Sequence, residues 1–215
     1  MAANRLRVFI TGASSGLGAA LARQYAQQGA MLGLVARRNE VLQELKATLP
    51  NADQHRIYAL DVNDHAALAQ AAADFIQSAQ GIDVVIANAG ISRGTLTEYA
   101  EDLQVFEQVF ATNVTATVAT FSPFIPTMQA QAAAGQTNCR LVGIGSVAGI
   151  RGLPGAGAYS ASKSAVISYC ESLRVELKMS GIKVVTIAPG YIDTPMTQIN
   201  AVSYTHLTLP TTPYV

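Results

Sequence analysis

Six short runs of continuous apolar residues, separated by amphipathic stretches, constrain this chain more than any single motif. They lie at 7–11 (RVFIT), 31–36 (MLGLVA), 56–60 (RIYAL), 83–87 (DVVIA), 140–144 (RLVGI) and 183–188 (KVVTIA). A strand with one wet face alternates apolar and polar residues, whereas these runs do not alternate, so both faces of each must be covered. The intervening stretches at 17–28, 40–49, 65–79, about 103–134 and 158–180 place apolar residues at helical spacing, as with Leu17, Leu21, Ala22 and Tyr25. Strand and helix in strict alternation predict an α/β fold: a doubly wound parallel sheet with helices on both faces. Pro123 and Pro126 fall inside the longest helical stretch and are expected to bend it or end its first part, because proline lacks an amide donor and clashes with the preceding turn.

The length of 215 residues suits one compact domain with a sizeable core. Fourteen Lys and Arg balance fourteen Asp and Glu, so the sequence offers no basic footprint for nucleic acid or an anionic membrane. Cys139 and Cys170 have neither metal-ligand spacing nor a paired framework and read as reduced, buried thiols. No secretory leader pattern opens the chain, and no apolar run approaches the roughly eighteen residues of a membrane span. A cytoplasmic protein with no metal is expected.

The first strand feeds a helix through TGASSGLG, 11–18. Gly12, Gly16 and Gly18 let the backbone turn tightly, and the amides around Ser14, Ser15 and Leu17 sit at a helix N-terminus that favours an anion. This is a candidate seat for a dinucleotide pyrophosphate, although its Gly-x-x-x-Gly-x-Gly spacing differs from the commoner Gly-x-Gly-x-x-Gly. About twenty residues on, a dinucleotide fold places an acid to read a free ribose 2′-hydroxyl or a base to read a 2′-phosphate. Ala36 stands at that point, followed by Arg37 and Arg38. Their planar guanidinium groups match a phosphate, which favours NADP (NADPH) over NAD.

In GAYSASKS, Tyr159 and Lys163 stand four apart on one helix face. A free phenol has a pKa of about 10; a neighbouring ammonium favours the phenolate and brings proton exchange closer to neutrality. Ser146 follows the fifth strand at the carboxyl edge of the sheet, where open α/β folds bind ligands, and can donate to a substrate oxygen. Asn113, and Asn88, Ala89 and Gly90 after the fourth strand, extend this series of polar or small residues.

These ordered motifs, TGASSGLG, NAG, Asn113, Ser146, YSASK and PGYIDTP, resemble the short-chain dehydrogenase/reductase family over about 5–197. The resemblance implies a Rossmann-type single domain. It implies that Tyr159 is the acid/base, that Lys163 lowers its pKa and binds the nicotinamide ribose, that Ser146 orients the substrate carbonyl, and that Asn113 holds a water linking Lys163 to solvent. The glycines would cradle the pyrophosphate, Asp61 beside Val62 would face the adenine amine, and Asn88–Gly90 would flank the adenosine. Gly190, Ile192 and Thr194 would fix the carboxamide, with Pro189 before them among the cofactor-binding residues. The implied reaction interconverts a small-molecule carbonyl and alcohol; a 3-oxoacyl-carrier-protein reductase is an alternative, and a non-catalytic dinucleotide sensor a more distant one. The full-length protein is expected to be a homo-oligomer.

The last fourteen residues, VSYTHLTLPTTPYV, carry four Thr and two Pro with no periodicity. The decapeptide VSYTHLTLPT resembles a translated sequencing-library adapter. The expectation is therefore a truncated dehydrogenase domain over 1–200, a non-native tail over 201–215, and a missing seventh strand and substrate-covering segment.

Overall fold

The computed structural model describes residues 5–196. Six parallel strands form one sheet in the order β3-β2-β1-β4-β5-β6, from β1 (Arg7–Thr11), β2 (Met31–Ala36), β3 (Arg56–Ala59), β4 (Val84–Ala87), β5 (Arg140–Ile144) and β6 (Lys183–Ile187). Strand order runs outward from β1 in one direction and from β4 in the other. The crevice between the carboxyl ends of these two central strands is therefore the topological switch point at which ligands bind in such sheets.

The doubly wound α/β fold expected from the apolar runs is present, and the burial pattern explains their lack of alternation. Val8 and Ile10 of β1, with Leu32 and Leu34 of β2, pack into one buried cluster, where Ala19, Ala22 and Ala26 of α1 (Gly16–Gln27) and Leu42 and Leu45 of α2 (Asn39–Thr48) cover them. Phe9 and Val85 point the other way, into a cluster with Leu68 and Phe75 of α3 (His65–Ala79), Phe121 and Phe124. The Phe9 ring lies 5.6 Å from Phe75 and 4.8 Å from Phe124 between centroids. With an apolar layer on each side, β1, β2, β4 and β5 are buried almost throughout, whereas the outer strands β3 and β6 are covered only in part, contrary to the expectation from their unbroken apolar runs.

The long helical stretch is broken twice. It comprises α4 (Asp102–Phe110), a π-helical turn at Ala111–Thr115, α5 (Ala116–Phe121), a 3-10 turn at Ser122–Phe124, and α6 (Ile125–Ala133). The second break carries Pro123, as expected from its missing donor. The π turn was not foreseen, because its cause is tertiary: Asn113 within it bonds to the backbone after β4, 22 residues away. The helix α7 (Gly157–Glu176) then carries the YSASK segment.

At the amino edge of the sheet, Arg7 clasps Asp83. Its Nη2 lies 2.8 Å from Asp83 Oδ1 and its Nε 2.8 Å from Oδ2, while its backbone amide also donates to Oδ2. This bidentate pair, mostly out of water, holds β1 beside β4 at the end opposite the crevice. Among the described residues β6 forms one edge of the sheet, where Val185 and Ile187 are exposed. The expected loss of a seventh strand and the reading of 201–215 as foreign concern residues outside those described.

Candidate active site

The carboxyl ends of β1, β2, β3, β4 and β5 open onto one cavity of about 750 Å³. Its floor is the first turn. Gly12 adopts φ 68°, and a Cβ there would fall 2.8 Å from Ala89 Cα, so the turn can lie against the strand-four loop only as glycine. Asn88 fastens the two from the other side: its Nδ2 donates to the carbonyls of Thr11 (3.0 Å) and Gly12 (3.2 Å). The amides of Asn88 and Ala89 both donate to Thr11 Oγ1.

The helix α1 begins at Gly16 behind Ser15, with no acidic residue in its first turn. Its leading amides therefore present an uncompensated positive end to the cavity. Ser14, Ser15, Gly16 and Leu17 line this part of the wall, and Thr194 approaches from above, its Cγ2 3.4 Å from where a Gly16 Cβ would stand. Gly18 does not line the cavity, contrary to its expected place in the cradle. It is buried beneath the turn, where a methyl would collide with the Gly12 carbonyl oxygen and come within 2.6 Å of Asn88 Nδ2. Its missing side chain serves the close packing of helix on turn.

Ala36, Arg37 and Arg38 line the far end of the cavity, facing Asp61 and Val62 after β3. Arg38 Nη2 donates to Ser14 Oγ at 3.4 Å, so this cation reaches toward the first turn. Asp61 Oδ1 accepts from the Asn63 amide at 2.9 Å, fixing the loop that follows β3. The residue set fits an extended dinucleotide: a glycine turn under a helix start for the diphosphate, and paired arginines where a second strand ends.

At the other end stand Ser146, Tyr159 and Lys163. Ser146 caps a short 3-10 turn at Val147–Gly149, and its Oγ accepts from the Ala148 amide at 3.1 Å. Accepting there leaves the hydroxyl hydrogen available to donate into the cavity. Gly149 lets this turn approach α7, since a Cβ would stand 2.7 Å from the Lys163 carbonyl carbon. Lys163 is only 5% exposed, and its Nζ donates to the Ile144 carbonyl at 2.8 Å. Burial pushes its pKa down to about 8. The ammonium lies 5.7 Å from the centroid of the Tyr159 ring. Ammonium, phenol and serine hydroxyl thus face one space.

Asn113 stands behind the wall rather than on it. It is 1% exposed; its Oδ1 accepts from the Ile91 amide (2.8 Å), and its Nδ2 donates to the Ile91 carbonyl (3.0 Å) and to Ser162 Oγ (2.9 Å). Both carboxamide hydrogens are engaged, so what it can still offer a water is acceptor capacity. Pro189, Gly190, Ile192 and Thr194 line the cavity above β6, and the Pro189 carbonyl accepts from the Val147 amide at 3.0 Å.

Several lining residues escaped sequence reading: Ile91, Arg93, Asn63, Gln108 and Thr112. Ile91 and Asn63 stand one and two positions beyond the motif residues Gly90 and Asp61, and continuing those motifs would have reached them. Gln108 and Thr112 had no local signal. Asn63 Nδ2 donates to Thr112 Oγ1 at 3.1 Å, a bond that closes one side of the cavity between the β3 loop and the π turn after α4. Among the described residues no group of His, Cys, Asp and Glu could hold a metal, and no helix is long and apolar enough to cross a membrane.

The family model described as short chain dehydrogenase matches residues 7–203. An uncharacterised oxidoreductase of Mycobacterium tuberculosis is 40% identical over 205 residues, covering 92% of this chain and 77% of its own length. Among solved structures, levodione reductase superposes with a TM-score of 0.82 at 31% identity, covering 92% of this chain and 75% of that one. A 3-ketoacyl-(acyl-carrier-protein) reductase from Brucella melitensis, complexed with NADH, gives a TM-score of 0.84 at 26% identity, covering 90% and 78%.

Proposed function

Since this chain belongs to the short-chain dehydrogenase family of NAD(P)-dependent oxidoreductases acting on CH–OH groups, we propose that it interconverts a small-molecule carbonyl and its alcohol, with NADP as cofactor and Tyr159 as acid/base. The observation that carries the reading is the meeting of Ser146, Tyr159 and Lys163 at one end of a cavity whose other end suits a dinucleotide. When bound, the dinucleotide supplies or accepts the hydride.

The protein's own residues handle the proton and the charge. In reduction, Tyr159 gives its phenolic proton to the carbonyl oxygen as negative charge builds there, and the Ser146 hydroxyl stabilises that charge by donating a hydrogen bond. Lys163, held at the Ile144 carbonyl with its ammonium near the Tyr159 ring, favours the phenolate that remains. In oxidation the same phenolate takes the proton back. The first turn and the start of α1 would seat the diphosphate, and Gly190, Ile192 and Thr194 the carboxamide end.

NADP is preferred in this reading because Ala36 replaces the acid that would bond a free 2′-hydroxyl, and Arg37 and Arg38 follow it on the cavity wall. The alternative of a 3-oxoacyl thioester on a carrier protein draws on the name of the Brucella neighbour. We further propose that 1–200 is the dehydrogenase domain, that 201–215 is foreign to it, and that the protein acts in the cytoplasm, as a homo-oligomer in its full-length form.

The test is Tyr159→Phe. The variant should bind NADPH, read by fluorescence titration, within a few-fold of wild type, and should turn over no member of a broad carbonyl panel that the parent reduces. A Phe variant with wild-type turnover refutes the assignment.

A further inference from the structure

The helix that carries Tyr159 and Lys163 is tied to the π turn by one buried hydroxyl. Ser162 is fully buried. Its Oγ donates to the carbonyl of Tyr159 at 2.7 Å, a bond inside α7, and accepts from Asn113 Nδ2 at 2.9 Å, a bond between elements. Asn113 in turn holds both the amide and the carbonyl of Ile91. A continuous path therefore runs from the cavity wall after β4, through Asn113 and Ser162, to the backbone of Tyr159. Lys163 enters the same neighbourhood. A Cβ at Gly90 would lie 3.2 Å from Asn113 Oδ1 and 3.6 Å from Lys163 Nζ, so the carboxamide and the ammonium border one small space beside Gly90.

We infer that Ser162 is a positioning residue for the proposed reaction: through Asn113 it holds the π turn and the Gly90–Ile91 wall against the start of α7, and so sets the surroundings of Lys163 and Tyr159. This rests on the reading of those two residues as the proton-handling pair. Without the hydroxyl, one Asn113 N–H is left buried with no acceptor, and such a group is relieved by turning or by admitting water. Either response loosens the carboxamide that borders Lys163, and water there solvates the ammonium. Thr120 provides the contrast. It too is buried, and its Oγ1 donates to the Ala116 carbonyl at 2.7 Å, but that bond stays within its own helix.

The experiment compares Ser162→Ala, Ser162→Thr and Thr120→Ala in the full chain, with NADPH and phenanthrenequinone as the carbonyl probe, alongside NMR titration of ε-13C-labelled lysine. Ser162→Ala should lower kcat about tenfold, equivalent to roughly 1.4 kcal/mol in the barrier. Its NADPH dissociation constant should stay within twofold, and the Lys163 titration should move upward by about one pH unit. Ser162→Thr, which keeps the hydroxyl, should recover most of the lost kcat. Thr120→Ala should lose stability without changing kcat or the lysine titration. The NMR arm decides the matter even if the probe proves a poor substrate. Should Ser162→Ala fail to fold, Ser162→Cys takes its place, with smaller changes in the same directions because its sulfur accepts only weakly. Wild-type kcat and an unmoved lysine titration in folded Ser162→Ala, or in its substitute, would overturn the inference. If Tyr159→Phe is inert while the Ser162 variants behave as wild type, the inference fails alone; if Tyr159→Phe remains active, the underlying reading fails.

Discussion

Lys163→Met is expected to make the protein more stable while removing its activity. The wild-type ammonium is 5% exposed with one carbonyl acceptor at 2.8 Å, and burial lowers its pKa from the ordinary 10.5 to about 8. That drop corresponds to about 3 kcal/mol by which folding disfavours the charged form at neutral pH. Methionine fills a similar volume without charge but leaves the Ile144 carbonyl without its lysine donor, at a cost of about 1–2 kcal/mol. The net gain should be about 1–2 kcal/mol, a rise in Tm of roughly 3–6 °C for a chain of this size.

The pH dependence separates charge from packing. A folded pKa depressed below the unfolded one means that between about 8 and 10.5 the unfolded state binds the extra proton, so wild-type stability rises with pH across that window. The contribution is fully present above 10.5 and is lost as pH falls through about 8. Urea unfolding of both ligand-free proteins from pH 7 to 10.5 should therefore show the advantage of Lys163→Met shrinking by about 3 kcal/mol as pH rises. Titrating groups remote from Lys163 are common to both proteins and cancel in the difference; Tyr159, beside it, is removed from the comparison by making both proteins in the Tyr159→Phe background. A pH-independent difference would refute the reasoning, as would a variant that is less stable at pH 7 by the same margin as at pH 10.

Arg37→Ala should raise KM for NADPH much more than KM for NADH in steady-state assays; equal effects would sink the 2′-phosphate reading. Gly18→Ala places a methyl against the Gly12 carbonyl and Asn88 Nδ2, and should destabilise by roughly 3 kcal/mol or more through a forced shift of helix from turn, read by denaturant midpoint. Asp83→Ala removes the bidentate partner of the Arg7 guanidinium, which is only 12% exposed, and leaves it the Gln80 carbonyl and Gln136 Oε1 as acceptors. A loss of about 2 kcal/mol is expected by thermal unfolding, with KM for NADPH unchanged in the folded fraction, because the crevice lies at the opposite strand ends. Thr95→Ala removes the oxygen that accepts from the Ala158 amide at the start of α7, where the capping position is Ala156 and offers no side-chain cap. About 1 kcal/mol of stability should go with it, together with part of kcat, since Tyr159 lies in that first turn.

Much of the site was legible in the chain because its chemistry is local. Gly12 had to turn, Tyr159 and Lys163 had to share a helix face at a spacing of four, and Ala36 followed by Arg37 and Arg38 stood where a second strand ends. Asn113 shows the limit. Its residue type and place were readable, yet the π turn around it exists because its side chain closes on Ile91, a partner no local pattern names. Gly18 shows a second limit, for a glycine needed against another backbone looks, in sequence, like a glycine needed under a phosphate.

Apolar periodicity and short-range side-chain spacing, then, determined the alternating architecture and the candidate Tyr159–Lys163 pair, since each depends on residues within a turn or a strand of one another. The tertiary structure alone decided the environment of those groups: the burial that brings Lys163 down to about 8, the Ser162–Asn113 tie, and the Thr95 cap on α7. Desolvation and long-range hydrogen bonds arise only when segments distant in sequence are packed together, as at Asn113 with Ile91, 22 residues apart, and Thr95 with Ala158, 63 apart.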